Sequence, residues 1–344
     1  MMKNFFYTTG IAAGIAARCA AGIATGLILF FFSCSSAGST PRKVQNPFIT
    51  LDTAGEFEPL AKGGGVYLSI DAQESRPILD LLSFNGYNAK DAALILDKTA
   101  AITAALYPKR DGLSGLDGLD APAFMLFARG SYPKGLADLS LGLAKDWKKT
   151  KSLVAPVSYW HSKTNKTALA FNKKYALISN VDPFSPTNAL TEPGAAPPGG
   201  FAAFKRDAVI AGWLNDAGSV VNAFLKLYNF PFELEIAELF FKVSKETEAP
   251  ALSRQAASGT LYNIEVGIES ATEDEAMGLV GLFTLARMFI VQTDETVDLQ
   301  NGAPFLMQRF FSSVPERDGA SLAVNLGQFS AEQTALLFNL FAVN

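Results

Sequence analysis

Few side chains in this sequence have the type and spacing that catalysis requires. The 344 residues include one histidine, His161, which follows Trp160 in a segment whose alternating pattern predicts a strand. A histidine can act as a general base near neutral pH, but a lone one in an aromatic strand is more often a packed or surface residue. No G-x-S-x-G, G-x-x-x-x-G-K-[ST] or H-E-x-x-H motif follows the N-terminal apolar segment. The sequence therefore predicts a non-catalytic protein without a cofactor, and a hydrolase that uses His161 with a serine and a carboxylate stays the alternative.

Three aspartates, Asp111, Asp117 and Asp120, lie close together in the segment RDGLSGLDGLDAP. Carboxylate oxygens suit calcium, but an EF-hand loop needs ligands at alternate positions and a glutamate at its twelfth position. The spacing here does not meet that pattern, whereas Gly and Asp before Pro122 are typical of a turn. We expect a turn and no metal site.

Cys34 has the most specific chemical setting in the chain. Lys3 and Arg18 are followed by an uncharged apolar run that ends in Phe31–Ser33, immediately before this cysteine. A positive start, a short apolar region and a small residue at the cut are typical of a signal peptide, and the run is shorter than the about 20 residues that span a bilayer. Residues 1–33 are therefore predicted to be a signal peptide that is cleaved.

The residues Phe31–Cys34 resemble a loose lipobox, the motif at which bacterial lipoproteins are diacylated on the cysteine and cleaved before it. Ser33 fits the motif, whereas the two phenylalanines stand where leucine and a small residue are usual. The resemblance implies acyl chains such as palmitate on Cys34 and a membrane partner held through this N-terminal lipid. Two alternatives stay open: cleavage at Ser35–Ala37, which gives a soluble exported protein, and an uncleaved anchor.

Composition divides the rest of the chain. Residues 34–62 are rich in Ser, Thr, Pro, Gly and Lys and are predicted to be a lipidated tether. Residues 181–200 hold five prolines and end in two glycines, which indicates a linker or a long surface loop. That segment separates an N-terminal half, residues 63–180, from a C-terminal half, residues 201–344. Two related halves would imply a duplication, for which the sequence has no clear residue-level repeat.

Short alternating segments followed by amphipathic helices recur along both halves. The clearest strand is 261–269, in which Ile264, Val266 and Ile268 share one face. One-sided alternation together with predicted hairpins favours an α+β fold, with mixed or mostly antiparallel sheets packed by amphipathic helices. The other predicted strands are 66–71, 124–129, 157–161, 167–171, 175–179, 208–214, 232–243 and 321–327.

Local signals also predict where helices begin. Thr272 with Glu275, and Ser330 with Gln333, have the spacing of capping boxes. The first of these boxes opens a helix that runs to about residue 291. The remaining predicted helices are 78–84, 88–107, 134–147 and a segment from 215 to 228.

Charge is unevenly distributed along the chain. The formal net charge of −4 disfavours bulk nucleic-acid binding. Residues 145–174 carry a net charge of +7, whereas residues 254–318 carry −6. Lysines interleaved with tryptophans are typical of a membrane interface, where each lysine contributes about 1 kcal/mol against anionic lipid. The predicted membrane-contact residues are Trp147, Lys148, Lys149, Lys151 and Trp160. The alternative is a solvated lysine-rich hairpin whose aromatic rings lie in the core.

Two late segments are unusually apolar: 276–291 has Arg287 as its single charged residue, and 334–343 has none. A helix that is apolar on all sides is buried in protein or in lipid, or lines an apolar cavity. Core helices are the first expectation, since neither run is long enough to span a bilayer. A groove for acyl chains, or shallow insertion into a bilayer, is the alternative.

A lipobox-like Phe31–Cys34 ahead of a mixed α/β body with strongly apolar helices resembles the treponemal, spirochaete type of outer-membrane lipoprotein. Some members of that type are thought to insert amphipathic helices into the inner leaflet, and Cys34 is the residue to which a role carries over. The resemblance implies a lipid-anchored protein of the bacterial cell envelope, at the outer membrane. We therefore predict a non-catalytic protein that binds lipid or a membrane surface, with a structural or protein-binding lipoprotein lacking a ligand cavity as the alternative. An acyl-chain ligand is compatible with this prediction, and the protein partner is not identified.

Overall fold

The computed structural model describes residues 56–57, 60, 64–82, 96–107, 123–152, 157–163, 167–184, 199–215, 217–218, 236–246, 260–290, 309–310 and 312–342. Cys34, the predicted signal peptide and most of the predicted tether lie outside these residues. So do Asp111, Asp117 and Asp120, most of the predicted linker, and the predicted helix from 215 to 228 apart from residues 215, 217 and 218.

The described residues pack into two units. Residues 56–73 and 96–184 belong to the first, which we call the N-terminal unit. Residues 199–342 belong to the second, the C-terminal unit, together with the short segment 74–82. That short segment therefore packs with the later part of the chain, although it lies in the sequence of the predicted first half.

The N-terminal unit is built on antiparallel strands in the spatial order β1-β2-β3-β7-β6-β5-β4. With elements numbered in chain order, its strands are β1 (Val66–Asp71), β2 (Thr99–Tyr107), β3 (Ala123–Gly130), β4 (Trp147–Lys151), β5 (Ser158–Ser162), β6 (Ala168–Phe171) and β7 (Tyr175–Ser179). The helix α2 (Lys134–Leu143) connects β3 to β4. The predicted strands at 66–71, 124–129, 157–161, 167–171 and 175–179 are confirmed to within one or two residues.

The C-terminal unit contains antiparallel strands in the spatial order β11-β12-β10-β9-β8. Its strands are β8 (Ala208–Asn215), β9 (Ile236–Lys245), β10 (Leu261–Ser270), β11 (Glu316–Asp318) and β12 (Ser321–Ser330). Its helices are α1 (Arg76–Leu79), α3 (Gly199–Phe204), α4 (Glu273–Ile290) and α5 (Ala331–Ala342). The predicted α+β class with antiparallel sheets is confirmed.

The helix predicted over residues 88–107 is wrong from Thr99 onward, because that part of the chain forms β2. Alanine favours a helix by at most about 1 kcal/mol per residue, which tertiary context readily overrides. Here β2 lies between β1 and β3, so its backbone bonds both neighbours, and every side chain from Ile102 to Tyr107 is buried. Small residues such as Ala104 and Ala105 fit a strand that is covered on both faces.

The helix predicted over residues 134–147 ends at Leu143, and Trp147 starts β4 instead. Along β4 the indole of Trp147 is buried, whereas Lys148 and Lys149 are exposed. Residues of β4 pair with β5 in an antiparallel register, which places Trp147 opposite Ser162. The cross-strand pairing, which is a non-local interaction, decides this boundary.

The local helix-start signals are confirmed. Ser330 N donates to Gln333 Oε1 at 2.8 Å, and Gln333 N donates to Ser330 Oγ at 3.2 Å, so both arms of this capping box are formed. At the start of α4, Glu275 N donates to Thr272 Oγ1 at 3.2 Å. Both signals act within three residues, which is why sequence alone identifies them.

Alkaline pH is expected to destabilise the N-terminal unit through Tyr132. This side chain is 7% exposed, and its Oη lies 3.1 Å from Thr99 Oγ1. Burial raises the pKa of Tyr132 from 10.0 to about 12, against a smaller opposing effect of the hydrogen bond to Thr99. Between these two values the folded state keeps a proton that the unfolded state has released, so stability falls as the pH rises through this window. The slope for one tyrosine approaches about 1.4 kcal/mol per pH unit.

Urea unfolding of wild type and Tyr132→Phe from neutral pH to pH about 12 measures this effect. The variant loses the buried hydroxyl that titrates, so its alkaline loss of stability is expected to be smaller than that of the wild type. Some loss persists in the variant, because burial also raises the pKa of Tyr159 to about 12. Identical pH profiles for the two proteins would contradict the assignment to Tyr132.

Candidate functional site

The helix α4 combines a buried inner face with an exposed apolar outer face. It begins after Thr272, and the acidic residues Glu273, Asp274 and Glu275 of its first turn interact favourably with the N-terminal end of the helix dipole. No charged residue follows in the sequence until Arg287. The middle of α4 therefore presents uncharged side chains on all its faces.

The inner face of α4 packs on the C-terminal sheet. Ala276, Leu279 and Phe283 are at most 5% exposed. Ala276 and Leu279 share a core cluster with Ile268 of β10 and Leu322 of β12. These residues recur at the three- and four-residue spacing of a helix face that lies against a sheet.

The outer face of α4 carries the residues Met277, Gly278, Gly281, Thr284 and Leu285, which we call the outer stripe. Met277 is 55% exposed and Leu285 is 54% exposed, and the other three members are also exposed. Thr284 Oγ1 donates to the carbonyl oxygen of Val280 at 2.9 Å, so its hydroxyl is already bonded within the helix. The stripe thus presents an apolar surface to solvent, and α4 is not a fully enclosed core helix.

A groove of about 340 Å³ lies on the opposite face of the same sheet. Gly267 contributes to its floor, and a Cβ at this position would lie 3.1 Å from Phe204 and 3.3 Å from Phe240. Gly267 points away from α4, because it alternates with Val266 and Ile268, which pack in the α4 core. The charged residues that line the groove are mainly acidic: Glu265, Glu269, Glu316, Arg317 and Asp318. The predicted acyl-chain groove between the late helices is not this one and stays a prediction.

The predicted membrane-contact residues of β4 and β5 divide into buried rings and exposed amines. Trp147 is 7% exposed and Trp160 is 8% exposed, whereas Lys148, Lys149 and Lys151 are exposed. The rings thus lie where the alternative interpretation put them, and of these five residues the lysines are the ones exposed to a bilayer. Such a contact stays a prediction.

Asp138 of α2 connects this pair of strands to the helix. Trp160 Nε1 donates to Asp138 Oδ1 at 2.9 Å, and Lys149 Nζ lies 3.8 Å from the same oxygen. Lys149 Nζ is also 5.4 Å from the centre of the Trp160 ring. Lys149 is therefore partly engaged within the N-terminal unit.

His161 is half-buried in β5, where its cross-strand neighbours are Lys148 on β4 and Ala168 on β6. The hydrolase alternative stays untested by this placement. Within the described ranges, no group of three or more His, Cys, Asp or Glu side chains is placed to hold a metal ion. Among the helices that the structure describes, none combines the length and the apolarity needed to cross a membrane.

The fold is similar to that of one treponemal protein of known structure. Crystal form III of TP0453 from Treponema pallidum superposes with a TM-score of 0.50 at 17% identity, over 82% of this chain and 96% of that chain. Crystal form IV superposes with a TM-score of 0.50 at 16% identity, over 82% of this chain and 95% of that chain. At such identity the likeness is one of fold alone. No protein-family model matches the sequence, and a comparison with curated proteins finds no match.

Proposed function

We propose that this chain is a non-catalytic, lipid-anchored protein of the bacterial outer membrane that binds the membrane surface through the outer stripe of α4. The observation that carries the proposal is the exposure of Met277 and Leu285 on a helix face without charge. The lipobox-like Phe31–Cys34 supports the anchor. The fold supports the setting, because TP0453 is a spirochaete membrane lipoprotein.

The size of the outer stripe explains why an anchor would be needed. Moving a Met or Leu side chain fully out of water contributes about 1.5–3 kcal/mol, and Met277 and Leu285 are already about half covered. Their contribution is therefore a few kcal/mol at most, which gives a weak and reversible attachment that excess vesicles detect but that does not hold the body at the bilayer by itself. Acyl chains on Cys34 would keep the body at the bilayer, where a weak contact is repeatedly formed.

The alternative, a structural or protein-binding lipoprotein, would use the lipid as an anchor and nothing more. The outer stripe would then be covered by another protein, and the body without its lipid would not bind vesicles. The two functions are separated by measuring whether the stripe itself enters a bilayer.

The double substitution Met277→Glu/Leu285→Glu in the outer stripe is tested in a protein that starts at residue 35. It is expected to lower the binding of this protein to vesicles of phosphatidylglycerol and phosphatidylethanolamine. Two carboxylates on the apolar face would have to be buried or protonated in the bilayer, so we expect about a tenfold loss of the floating fraction. The matched control is Leu143→Glu/Val314→Glu, which places the same charges at two other exposed apolar positions. If wild type fails to float, or if both variants lose binding equally, the proposal is wrong.

A second measurement reports the depth of the stripe directly. The chain from residue 35 onward contains no cysteine, so Met277→Cys and Leu285→Cys each carry one environment-sensitive fluorophore. Both labels are expected to shift to the blue when vesicles are added. A label on Leu143→Cys, which is 66% exposed in α2, serves as the control that stays in water. Equal shifts at all three positions would indicate non-specific adsorption and would contradict insertion by α4.

A further inference from the structure

The strand order of each unit ends in an edge strand that has no further strand beyond it within the described residues. In the N-terminal unit this strand is β4, which pairs with β5 on one side. In the C-terminal unit it is β11, which pairs with β12 on one side. The outer backbone groups of an edge strand are able to pair with another chain.

The two edge strands carry opposite charges. β4 exposes Lys148, Lys149 and Lys151, and β11 exposes Glu316 and Asp318 on either side of Arg317. Lysines and carboxylates on edges suppress pairing between like edges, because equal charges would lie opposite each other. A pairing of β4 with β11 instead brings opposite charges together.

Several of these charges have no ion-pair partner inside the described part of the chain. Lys149 is engaged by Asp138, but no ion pair there involves Lys148, Lys151, Glu316 or Asp318. These four side chains are thus the ones available to a partner. Their replacement breaks no ion pair among the described residues.

The groove described above lies beside β11 and suits the lysine side chain. Its walls include the rings of Phe204 and Phe240, and Glu269 and Glu316 contribute carboxylates. A lysine buries its aliphatic stem along apolar surface and keeps its ammonium group near charge or the face of a ring. The C-terminal unit already shows this arrangement once, since Lys242 Nζ lies 4.8 Å from the centre of the Phe204 ring and 3.2 Å from Glu265 Oε2.

We propose that the lysine edge β4 of one copy binds the acidic edge β11 and the adjoining groove of a second copy. The two surfaces differ, so the contact is heterologous and joins copies head to tail. Because β11 has three residues, the ladder is short, and much of the specificity comes from charge. Self-association is therefore expected to be weak and sensitive to salt. This inference does not rest on the contact of α4 with a bilayer.

The test is a charge exchange in the full chain, purified in a non-ionic detergent and measured by sedimentation velocity. Lys148→Glu/Lys151→Glu and Glu316→Lys/Asp318→Lys each leave two like edges, so each alone is expected to associate about tenfold more weakly than wild type. An equimolar mixture of the two is expected to recover association, because each variant then meets an opposite edge. The control Lys98→Glu/Lys173→Glu changes the net charge equally at two exposed lysines away from both edges, and is expected to behave as wild type.

A zero-length amine–carboxylate crosslinker applied to a mixture of isotopically light and heavy wild-type copies identifies the contact. The expected product joins Lys148 or Lys151 of one copy to Glu316 or Asp318 of the other. The proposal is overturned if wild type stays monomeric, if the mixture does not recover association, or if association is unchanged between about 0.05 and about 0.5 M salt. It is equally overturned if the lysine variant loses binding to anionic vesicles and keeps wild-type self-association, since β4 would then serve the membrane.

Discussion

Replacing Cys34 by alanine is expected to abolish acylation of the chain in a bacterium that has the lipoprotein pathway. A thiolate is the nucleophile that alanine cannot supply, and the proposed cleavage before residue 34 depends on the acylated cysteine. Incorporation of labelled palmitate should fall from clearly detectable to background. Intact-mass spectrometry should find residues 1–33 retained in the variant and absent from wild type.

The chain offers a matched control in its other cysteine. Cys19 lies inside the predicted signal peptide, so Cys19→Ala should leave the label and the mature mass unchanged. Label that persists in Cys34→Ala, or a wild-type chain that starts at another residue, would remove the anchor from the proposal. The soluble exported protein cleaved near Ser35–Ala37 would then be the better interpretation.

Replacing Gly130 by alanine is expected to destabilise the N-terminal unit by about 3 kcal/mol or more. A Cβ at this position would lie 2.0 Å from the carbonyl oxygen of Lys98 and 3.0 Å from Thr99 Cα, both of which are backbone atoms. The same carbonyl accepts a hydrogen bond from Ser131 N at 2.8 Å, and Gly130 N donates to Lys174 O at 2.8 Å. Relief of the clash would move β2 away from β3 and weaken the bond between Ser131 and Lys98.

The control for this substitution is Gly135→Ala in α2, where nothing beyond the chain neighbours and the backbone of the helix itself lies within 4 Å of the new Cβ. In a helix, alanine is favoured over glycine by about 0.5–1 kcal/mol, so this variant should match or exceed wild-type stability. Urea unfolding of both variants, followed by circular dichroism, gives the comparison. A Gly130→Ala protein as stable as wild type would contradict this close approach of Gly130 to the backbone of Lys98.

The proposed contacts with the membrane and with a second copy are made by separate parts of the chain. Acyl chains on Cys34 would supply most of the affinity for a membrane, and the outer stripe of α4 would orient the body against it. The edge strands β4 and β11 are predicted to contact a second copy instead. Each of these parts has its own variant, so the failure of one prediction leaves the others testable.

Short-range signals in the sequence correctly predicted several elements. The capping pair Ser330 and Gln333 forms as predicted, and Ile264 and Ile268 are buried on one face of β10. The capping box is predictable because both of its residues lie within three positions of each other. The strand is predictable because its alternating apolar residues show directly which face of the sheet is covered. The same argument explains the antiparallel strands β5, β6 and β7, which few residues separate in the sequence.

The predicted helices were wrong at β2 and beyond the end of α2, because pairing between distant strands determines the structure there. The alanines of β2 are typical of a helix, and nothing nearby in sequence signals that the segment pairs with β1 along one edge and with β3 along the other. By its local pattern Trp147 would likewise continue the helix. Only its pairing with Ser162 shows that it belongs to a strand. Local propensity amounts to tenths of a kcal/mol per residue, whereas strand pairing and burial contribute more for each residue that they order.

For the candidate sites, the sequence by itself determined composition: an apolar α4 without charge between its first turn and Arg287, a basic segment that becomes β4, and an acidic one that includes β11. Only the tertiary structure decided which of these side chains reach solvent. Packing on β10 and β12 buries one face of α4 and leaves Met277 and Leu285 exposed, while Trp147 and Trp160 are buried and the lysines of β4 are exposed. Exposure depends on what lies across the sheet, which is a property of residues far apart in the chain and is therefore not written in any local pattern.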